Sequence, residues 1–492
     1  MNGNSESTPV ASGNEASLNT ADTILIRGAV ALLTGQSGEA SRSRGCDIRI
    51  RSGIISDIGA LAPEPHEEII DATDCVIYPA WVNTHHHLAQ SLLKGIATGI
   101  NSTLTPWLAA VPYYYRRVFN SNLLRIAARI GLAELALSGC GTVADHHYVY
   151  WPEIDFDGAE ILFEEAERFG LRFVLCRGGA TMDREFEASM PKACSAESLD
   201  SYLSDLTRLA DRYNDTSPRS MRQIVAAPTT LMFSMRPEEL RETATHARHL
   251  GLRLHSHLSE TVLYQDICHA RYECDPIDFA ERVGWLGSDV WYAHLVKLRQ
   301  HEIELLGSTG TGVAHCAQSN GRLGSGIAPV RLLENAGAIV SLAVDGAGSN
   351  EAADMLSEAH TAWLTARARA GFLAQPSYQG GHGEDGAADA TVEDIVRWGT
   401  ANGARILGLS GVGCLQIGMS ADIAIYALDE VRHYGFHDAA VAPVASGRAT
   451  VRALLVNGHV VVKDGEIPAL DVNELKHKAN EAVTQLKRRV NG

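Results

Sequence analysis

The sequence lacks long apolar runs, paired cysteines and clustered basic residues. Among its 492 residues no apolar run approaches the ~18 residues of a membrane span, so we expect no membrane insertion. The nine cysteines form no C-x-x-C pair, which is typical of reduced thiols and predicts a cytoplasmic protein. The formal charge of -17 argues against nucleic acid as the main partner, because basic residues gather only modestly, between Lys476 and Arg489. The expected partner is a small molecule.

Two polar segments are predicted to lie outside the folded core. Residues 1–22 are rich in Ser, Asn, Gly and Thr and lack both the basic and the apolar region of a secretion signal. They are predicted to be a disordered tail. The polar, Gly-rich stretch from Gly380 to Ala390 is predicted to be a surface loop.

Both ends of the remaining chain have β character. From Thr23 to about Tyr78 short β segments alternate with Gly and Asp turns. Near the other end an Asn457-Gly458 pair is typical of a hairpin turn, and a final amphipathic helix is predicted over Val472 to Arg489. We therefore expect residues 23–79 and 413–492 to build one small β-sandwich domain.

Between these ends apolar strands alternate with helices, which is typical of an α/β fold with a parallel sheet. Eight strands are predicted: Val76 to Thr84, Gly141 to His146, Leu171 to Arg177, Gln223 to Thr229, Leu252 to His257, Val290 to His294, Thr311 to Cys316 and Ala338 to Asp345. Helices are predicted at Leu123 to Ser138, Gly158 to Phe169, Ser198 to Tyr213, Pro237 to Leu250 and Val330 to Asn335. Eight alternations favour a (β/α)8 TIM barrel over an open sheet, with residues 80–412 as the catalytic domain.

In a TIM barrel the catalytic groups lie at the carboxyl ends of the strands. Seven ionisable residues fall at the ends of predicted strands: His85, His146, Arg177, His257, His294, His315 and Asp345. The carboxyl end of the barrel is therefore the expected active site.

A histidine cluster ends the first predicted strand. Residues i and i+2 of a strand share a face, so His85 and His87 can hold one metal ion while His86 points away. The alternative is a polar surface patch. This cluster alone makes the chain a candidate metalloenzyme.

Further metal-binding groups follow along the chain. His255 and His257 repeat the i, i+2 spacing at the fifth strand, and Asp345 ends the eighth. Three imidazoles and one carboxylate suit Zn2+ or a related divalent ion such as Fe2+, and three or four protein ligands plus a water are typical of a catalytic site. A bound metal lowers the pKa of water from about 15.7 to about 7, which favours hydrolytic chemistry.

Five motifs, in this order, resemble the amidohydrolase superfamily and, within it, the cytosine/guanine deaminase-like branch. The resemblance covers about Thr23 to Glu466 and rests on Asn83 to His87, His257 to Glu260, Ala293-His294, Ala314 to Asn320 and Val344 to Gly346. It implies four metal ligands, His85, His87, His257 and Asp345. Binuclear relatives carry a lysine or a carboxylate at the fourth strand, and Ile224 to Thr230 contains neither, so one metal ion is expected.

The resemblance also implies the catalytic roles. Glu260 resembles the proton shuttle of the branch, His294 the histidine that polarises the substrate or orients the hydroxide, and Asp345 can relay a proton as well as bind the metal. Structural alternatives remain open: a helix-start residue for Glu260, a core histidine for His257 and a turn residue for Asp345. The implied reaction is hydrolytic deamination, which releases ammonia and needs no organic cofactor.

Three residues are candidates for substrate binding. Gln90, just beyond the histidine cluster, can read a carbonyl and an adjacent N–H of a heterocycle, and Trp107 can cover a flat ring. Arg177, at the end of the third strand, can bind a ring carbonyl, which favours an amino-oxo heterocycle. Trp107 can instead be packing and Arg177 can pair with a neighbouring acid. The similarity favours isoxanthopterin or a close pterin first and 8-oxoguanine next, with triazine hydrolysis as an alternative.

A different class of function is a non-catalytic scaffold, since barrels of this superfamily also occur as assembly proteins without metal ligands. The complete set of His85, His87, His257 and Asp345 argues against it. A homodimer is implied by the resemblance alone.

Overall fold

The computed structural model describes residues 23–182, 196–374 and 390–491. The predicted disordered tail lies outside these ranges, as does the predicted surface loop apart from Ala390. The strands in the described ranges are β1 Thr23–Arg27, β2 Ala31–Leu32, β3 Asp47–Arg51, β4 Ile54–Gly59, β5 Glu68–Asp71, β6 Cys75–Pro79, β7 Trp81–His86, β8 Cys140–His147, β9 Arg172–Arg177, β10 Arg222–Ala226, β11 Arg253–Leu258, β12 Val290–His294, β13 Gly312–His315, β14 Ile339–Leu342, β15 Ile423–Ala427, β16 Thr450–Val456 and β17 His459–Lys463.

The α-helices of the same ranges mostly alternate with the strands of the barrel. They are α1 Leu104–Ala110, α2 Pro112–Tyr115, α3 Ser121–Leu137, α4 Gly158–Phe169, α5 Leu199–Tyr213, α6 Leu231–Ser234, α7 Pro237–His249, α8 Val262–Tyr272, α9 Pro276–Arg282, α10 Gln300–Thr309, α11 Ala317–Arg322, α12 Val330–Ala336, α13 Ala347–Asn350, α14 Met355–Leu373, α15 Val392–Arg397, α16 Gly403–Leu407, α17 Ala442–Ser446 and α18 Val472–Asn491. Within the described ranges no helix combines the length and hydropathy that a membrane crossing requires.

Strands β7 to β14 form one parallel sheet in which each strand pairs with the next in the chain. The first and last strands meet where the Asp345 amide donates to the His85 carbonyl at 3.1 Å. The predicted (β/α)8 barrel is confirmed, and so is the separate β structure built from both chain ends.

One strand prediction is wrong. A single strand was expected from Val76 to Thr84, but the chain changes sheets at Ala80. The Ala80 amide donates to the carbonyl of Asp422 in the small domain at 2.9 Å, whereas the Trp81 amide donates to the carbonyl of Gly139 beside the barrel at 2.9 Å. Strands β6 and β7 are both buried, and the sequence is apolar from Val76 to Val82. Hydrophobicity therefore does not indicate where β6 ends and β7 begins.

The β structure outside the barrel forms two sheets, with strand orders β4-β3-β1-β5 and β17-β16-β15-β6-β2. The second joins both chain ends, because β6 pairs antiparallel with β15. The predicted hairpin turn joins β16 to β17, with φ of 50° at Asn457 and 80° at Gly458, as a two-residue turn of this type requires. The domain bounds of 23–79, 80–412 and 413–492 stay a prediction.

Helix α4 shows how local signals fix an element that follows a strand of the barrel. The Asp157 side chain accepts from the Glu160 amide and caps the first turn, and Gly170 ends the helix at φ 71°. These signals explain why the predicted bounds, Gly158 to Phe169, match the observed helix. Such helices cover the barrel and leave the carboxyl ends of its strands open for a site.

Candidate metal centre and active site

Four side chains meet at the carboxyl end of the barrel: His85 on β7, His87 directly after it, His257 on β11 and Asp345 after β14. One nitrogen or oxygen from each lies within 4.8 Å of the others. Asp345 Oδ1 is 3.4 Å from His85 Nε2 and 3.2 Å from His87 Nε2, and the Nε2 atoms of His87 and His257 are 3.3 Å apart. The four residues named as ligands from the sequence therefore form one group.

The hydrogen bonds of two imidazoles show that this group fits a metal ion. His87 Nδ1 donates to the His146 carbonyl at 2.7 Å, and His257 Nδ1 donates to the Thr229 carbonyl. In neutral rings both Nε2 atoms then carry lone pairs, and lone pairs 3.3 Å apart repel unless a cation lies between them. A tetrahedral zinc site with bonds of about 2.0–2.1 Å has ligand–ligand edges of about 3.3–3.4 Å. The observed separations match these edges.

The electrostatics of the group favour the cation-binding forms of His85, His257 and Asp345. Burial lowers the pKa of His85 to about 3 and that of His257 well below 6.5. For His87 burial also lowers the pKa, but the carboxylate of Asp345 outweighs it and the pKa is raised. Burial alone would raise the pKa of Asp345, yet the adjacent imidazoles of His85 and His87 hold it well below 3.8. Asp345 is therefore ionised at neutral pH.

Two residues of the site have strained backbones. The φ angles of His294 and Asp345 are 78° and 58°, in the left-handed region that residues other than glycine seldom occupy. Such conformations cost on the order of 1–3 kcal/mol each and occur mainly at functional sites. Each lies where a strand turns into a loop, and each side chain is fixed there by hydrogen bonds.

Glu260 and His294 lie next to the metal-binding group. Glu260 follows β11 and is buried, and its Oε2 is 3.7 Å from His294 Nε2. His294 ends β12 and its Nδ1 donates to Asn320 Oδ1 at 2.9 Å, because an amide oxygen only accepts. In a neutral ring Nε2 then presents its lone pair to the site.

A segment that we name the 317–325 segment, formed by α11 and the three residues after it, holds three groups of the site. Ser319 Oγ donates to Asp345 Oδ2 at 2.6 Å, Asn320 accepts from His294, and Ser325 Oγ donates to Glu260 Oε1 at 2.9 Å. The segment itself is anchored by the buried Glu358, which accepts from the Ala317 and Gln318 amides at the start of α11. One short stretch of chain thus sets the orientation of all three.

A cavity of about 510 Å3, including its open mouth, leads to these groups and is lined by His87, His257, Glu260, His294 and Asp345 among others. Two predicted substrate residues, Gln90 and Trp107, also line it, together with Tyr113, Tyr148 and Tyr264. Aromatic walls and a few polar groups are typical of a site for a flat heterocycle.

Gln90 and Trp107 are both anchored in the cavity wall. Gln90 Nε2 donates to Tyr148 Oη at 3.3 Å, and Gln90 Oε1 accepts no hydrogen bond from the described residues. The Trp107 indole donates to the Gly348 carbonyl at 2.9 Å. Gln90 therefore offers a free acceptor, while Trp107 combines a structural bond with an apolar ring face.

Arg177 lies outside the lining of this cavity. Its guanidinium pairs with Glu197 at 2.6 Å and Asp205 at 3.0 Å, and it stacks on the rings of Tyr150 and Tyr202. With its donors held by two acids, Arg177 is not placed to bind a ring carbonyl. The arrangement corresponds to the alternative given for it, pairing with neighbouring acids.

Several polar contacts of the site did not follow from the sequence. Ser319 and Asn320 belong to a motif used for the resemblance, but their bonds to Asp345 and His294 depend on the placement of α11. Ser325 and Tyr148 have no motif around them. The position of Tyr148 just past the end of the second strand is the one signal that could have identified it.

A second opening, of about 1770 Å3 including its open mouth, lies between the small sheets. Its lining includes Ile69 and Asp71 of β5, Arg452 of β16 and Lys463 of β17, and none of the metal-binding or catalytic candidates reaches it. The chemistry is therefore placed in the barrel cavity, not in this larger groove.

Comparison with known proteins supports the same assignment. The Amidohydrolase family matches residues 76–461. The chain is 58% identical to isoxanthopterin deaminase from an unknown prokaryotic organism, over 96% of this chain and 98% of that protein. It is 36% identical to 8-oxoguanine deaminase from Pseudomonas aeruginosa, over 86% and 90%.

Two crystal structures share the fold. An amidohydrolase from an environmental sample of the Sargasso Sea matches with a TM-score of 0.81 and 51% identity, covering 96% of this chain and 100% of that chain. Atrazine chlorohydrolase from Arthrobacter aurescens TC1 complexed with zinc matches with a TM-score of 0.83 and 27% identity, covering 94% and 100%. A zinc-containing relative agrees with the three-histidine, one-aspartate group found here.

Proposed function

Because the chain belongs to the amidohydrolase family, we propose that it is a zinc-dependent deaminase that acts on isoxanthopterin or a close amino-oxo pterin and releases ammonia. One observation carries the proposal: the cavity that reaches three of the four metal donors, His87, His257 and Asp345, also contains a second buried carboxylate, Glu260, beside the ionised Asp345. A hydrolytic deaminase needs a site of this kind, because protons must move from water to nitrogen.

The proposed ligands are His85, His87, His257 and Asp345, and a metal bound by them would supply a nucleophilic water at neutral pH. In the proposed reaction Glu260 takes the first proton of the attacking water and passes it to a ring nitrogen as the new C–O bond forms. Asp345 takes the second proton, which leaves with the amino group as the C–N bond breaks. Water and the cyclic amidine are thereby converted into a ring carbonyl and ammonia.

The other polar groups orient the substrate and the proton carriers. We propose that His294 Nε2, fixed by Asn320, accepts a hydrogen bond beside Glu260 and that Ser325 keeps the shuttle carboxylate in place. Gln90 Oε1 is available to accept from a ring N–H, and the Trp107 ring to cover one face of the heterocycle. The fused rings of an amino-oxo pterin offer both a ring N–H for Gln90 and a flat face for Trp107.

The substrate choice rests on similarity together with the cavity. The 58% identity to isoxanthopterin deaminase over nearly the whole chain favours the pterin, and the 36% identity to 8-oxoguanine deaminase makes that purine the second candidate. Displacement of a group from a triazine remains the alternative within the same chemistry, given the 30% identity to hydroxydechloroatrazine ethylaminohydrolase from a Pseudomonas strain. Zinc is proposed as the metal, with Fe2+ as the alternative.

The experiment that tests the proposal is an ammonia-release screen of the zinc-loaded protein. Isoxanthopterin, 8-oxoguanine, guanine, cytosine, adenosine and amino-triazines are compared at equal concentration. We expect isoxanthopterin to give the highest kcat/KM, and Glu260→Gln to abolish turnover while zinc content stays at one per chain. Turnover of adenosine or of a triazine alone would contradict the proposal that the substrate is a pterin. No turnover of any of these compounds would contradict the proposal that the protein is a deaminase.

A further inference from the structure

One histidine of the second i, i+2 pair has no role in the proposed reaction. His255 lies on β11, two residues before His257, and is fully buried. Its Nε2 is 2.8 Å from His85 Nδ1, and its Nδ1 is 2.9 Å from the Trp291 carbonyl. Both ring nitrogens of His255 are therefore engaged, one of them with a proposed metal ligand.

The Trp291 carbonyl decides which atom donates in the two hydrogen bonds of His255, the one to Trp291 and the one to His85. A carbonyl oxygen only accepts, so His255 Nδ1 carries the proton, and in the neutral ring that burial favours His255 Nε2 carries a lone pair. His85 Nδ1 must then donate to it. The lone pair of His85 consequently lies on Nε2, the atom that faces Asp345 Oδ1 at 3.4 Å.

His85 differs in this respect from the other two histidine ligands. His87 and His257 donate their Nδ1 protons to the backbone carbonyls of His146 and Thr229. Those two acceptors are backbone carbonyls, so they do not depend on which side chain is present at positions 146 and 229. For His85 the acceptor is a side chain, so the orientation of this ligand depends on the residue at position 255.

His255 is itself fixed by a ring of contacts that returns to β7. Its imidazole stacks on the Trp291 indole, with centroids 4.5 Å apart and planes 17° apart. The Trp291 indole donates to the carbonyl of Thr84, the residue before His85, at 3.1 Å. Strands β7, β11 and β12 are thus linked through Trp291 and His255 around the ligand that they orient.

We propose that His255 is a positioning residue of the metal centre, which accepts from His85 and so fixes both its tautomer and its ring plane for metal binding. This inference rests on the metal site of the proposed function and is independent of its substrate. Partners of this kind typically change metal affinity about 10–100-fold when removed.

The test is the zinc affinity of purified variants, measured by competition with a chelating dye. His255→Phe keeps a flat ring for stacking but removes the acceptor, and we expect it to weaken zinc binding about 10–100-fold. His255→Gln places an amide oxygen where it can accept from His85 and is expected to stay within about threefold of wild type. His147→Phe, a change of the same size at another buried barrel histidine, is the control and is expected to bind zinc as wild type does.

Two further measurements make every outcome informative. With Co2+ in place of zinc, the visible spectrum of His255→Phe should differ from that of wild type, whereas that of His255→Gln should not. In the 15N-histidine-labelled wild type, a coupling across the hydrogen bond between His85 Nδ1 and His255 Nε2 is expected. The coupling measurement uses only the wild-type protein, so it still tests the inference if His255→Phe fails to fold.

Equal zinc affinity in folded His255→Phe and wild type, or no such coupling in wild type, would overturn the inference. Wild-type protein that binds no zinc would instead overturn the proposed function. The two failures are therefore distinguishable.

Discussion

The Ser325 hydroxyl donates a hydrogen bond of 2.9 Å to Oε1 of Glu260. Glu260 Oε2 lies on the side of His294, at 3.7 Å from its Nε2. One oxygen of the proposed proton shuttle is thus held by the protein while the other is directed into the site. A serine outside every recognised motif thereby sets the orientation of the catalytic carboxylate.

Removal of this hydroxyl should slow the reaction without loss of metal. Hydrogen bonds to charged groups contribute about 1.5–3 kcal/mol, so Ser325→Ala is expected to lower kcat about tenfold or more. KM and zinc content should change little. The matched control is Ser420→Ala, which removes a buried hydroxyl that donates to Asp422 Oδ1 at 2.7 Å outside the barrel. A fall in kcat of equal size in both variants would point to general destabilisation instead.

The histidine cluster offers a test of the metal ligands within three consecutive residues. His87→Gln should lose stoichiometric zinc, because it removes a nitrogen 3.2 Å from Asp345 Oδ1. His86→Gln should retain it, since the His86 ring donates to the backbone carbonyl of Asp345 and a glutamine can still donate there. The zinc content per chain of the two purified variants is the measurement that tests this assignment. Zinc loss in His86→Gln alone would show that the ligand assignment is wrong.

Gly346 controls the space that Gln90 occupies. A Cβ at position 346 would lie 2.0 Å from Gln90 Oε1, so Gly346→Ala must displace that side chain. We expect Gly346→Ala to raise KM for the heterocycle at least severalfold. If the displacement of Gln90 is the cause, the same change made in a Gln90→Ala background should cost much less. Additive effects in this double-mutant cycle would show that Gly346→Ala does not act through Gln90.

A buried aspartate near the site makes stability depend on pH. Burial raises the pKa of Asp145 to about 7, while the Leu88 amide, 2.6 Å from Oδ1, opposes the shift. An unfolded aspartate titrates near about 3.9, so the folded state binds this proton more tightly. The contribution of Asp145 to stability is therefore fully present below about pH 4 and is lost as the pH rises to about 7.

Asp145→Asn removes this titration and should be more stable than wild type at about pH 8, with the difference shrinking as the pH falls towards about 5. Each pKa unit corresponds to about 1.4 kcal/mol in the free energy of unfolding. Urea unfolding of the metal-free proteins across this range measures the difference. Asp464→Asn makes the same charge change on an exposed turn and serves as control. A difference that grows towards low pH would contradict the prediction.

Residues at strand ends were predictable from the sequence, and contacts that depend on packing were not. His85, His87, His257 and Asp345 could be grouped because barrel topology brings strand ends together and the family resemblance implied these four among them. Arg177 also ends a strand, but its acids, Glu197 and Asp205, come from a loop and from α5, whose approach no local pattern specifies. The change of sheet at Ala80 could not be predicted either, because a buried apolar strand has the same sequence pattern in either sheet.

The junction at Ala80 also bears on the order in which the protein can be made. Strand β6 leads directly into the strand that carries His85, yet its partner β15 is encoded after the entire barrel. A chain still emerging from the ribosome therefore displays its imidazoles long before β6 can pair with β15 or Asp345 can join them. A truncated chain that ends before β15 would contain all four ligands and still lack three of the five strands in the sheet that holds β6.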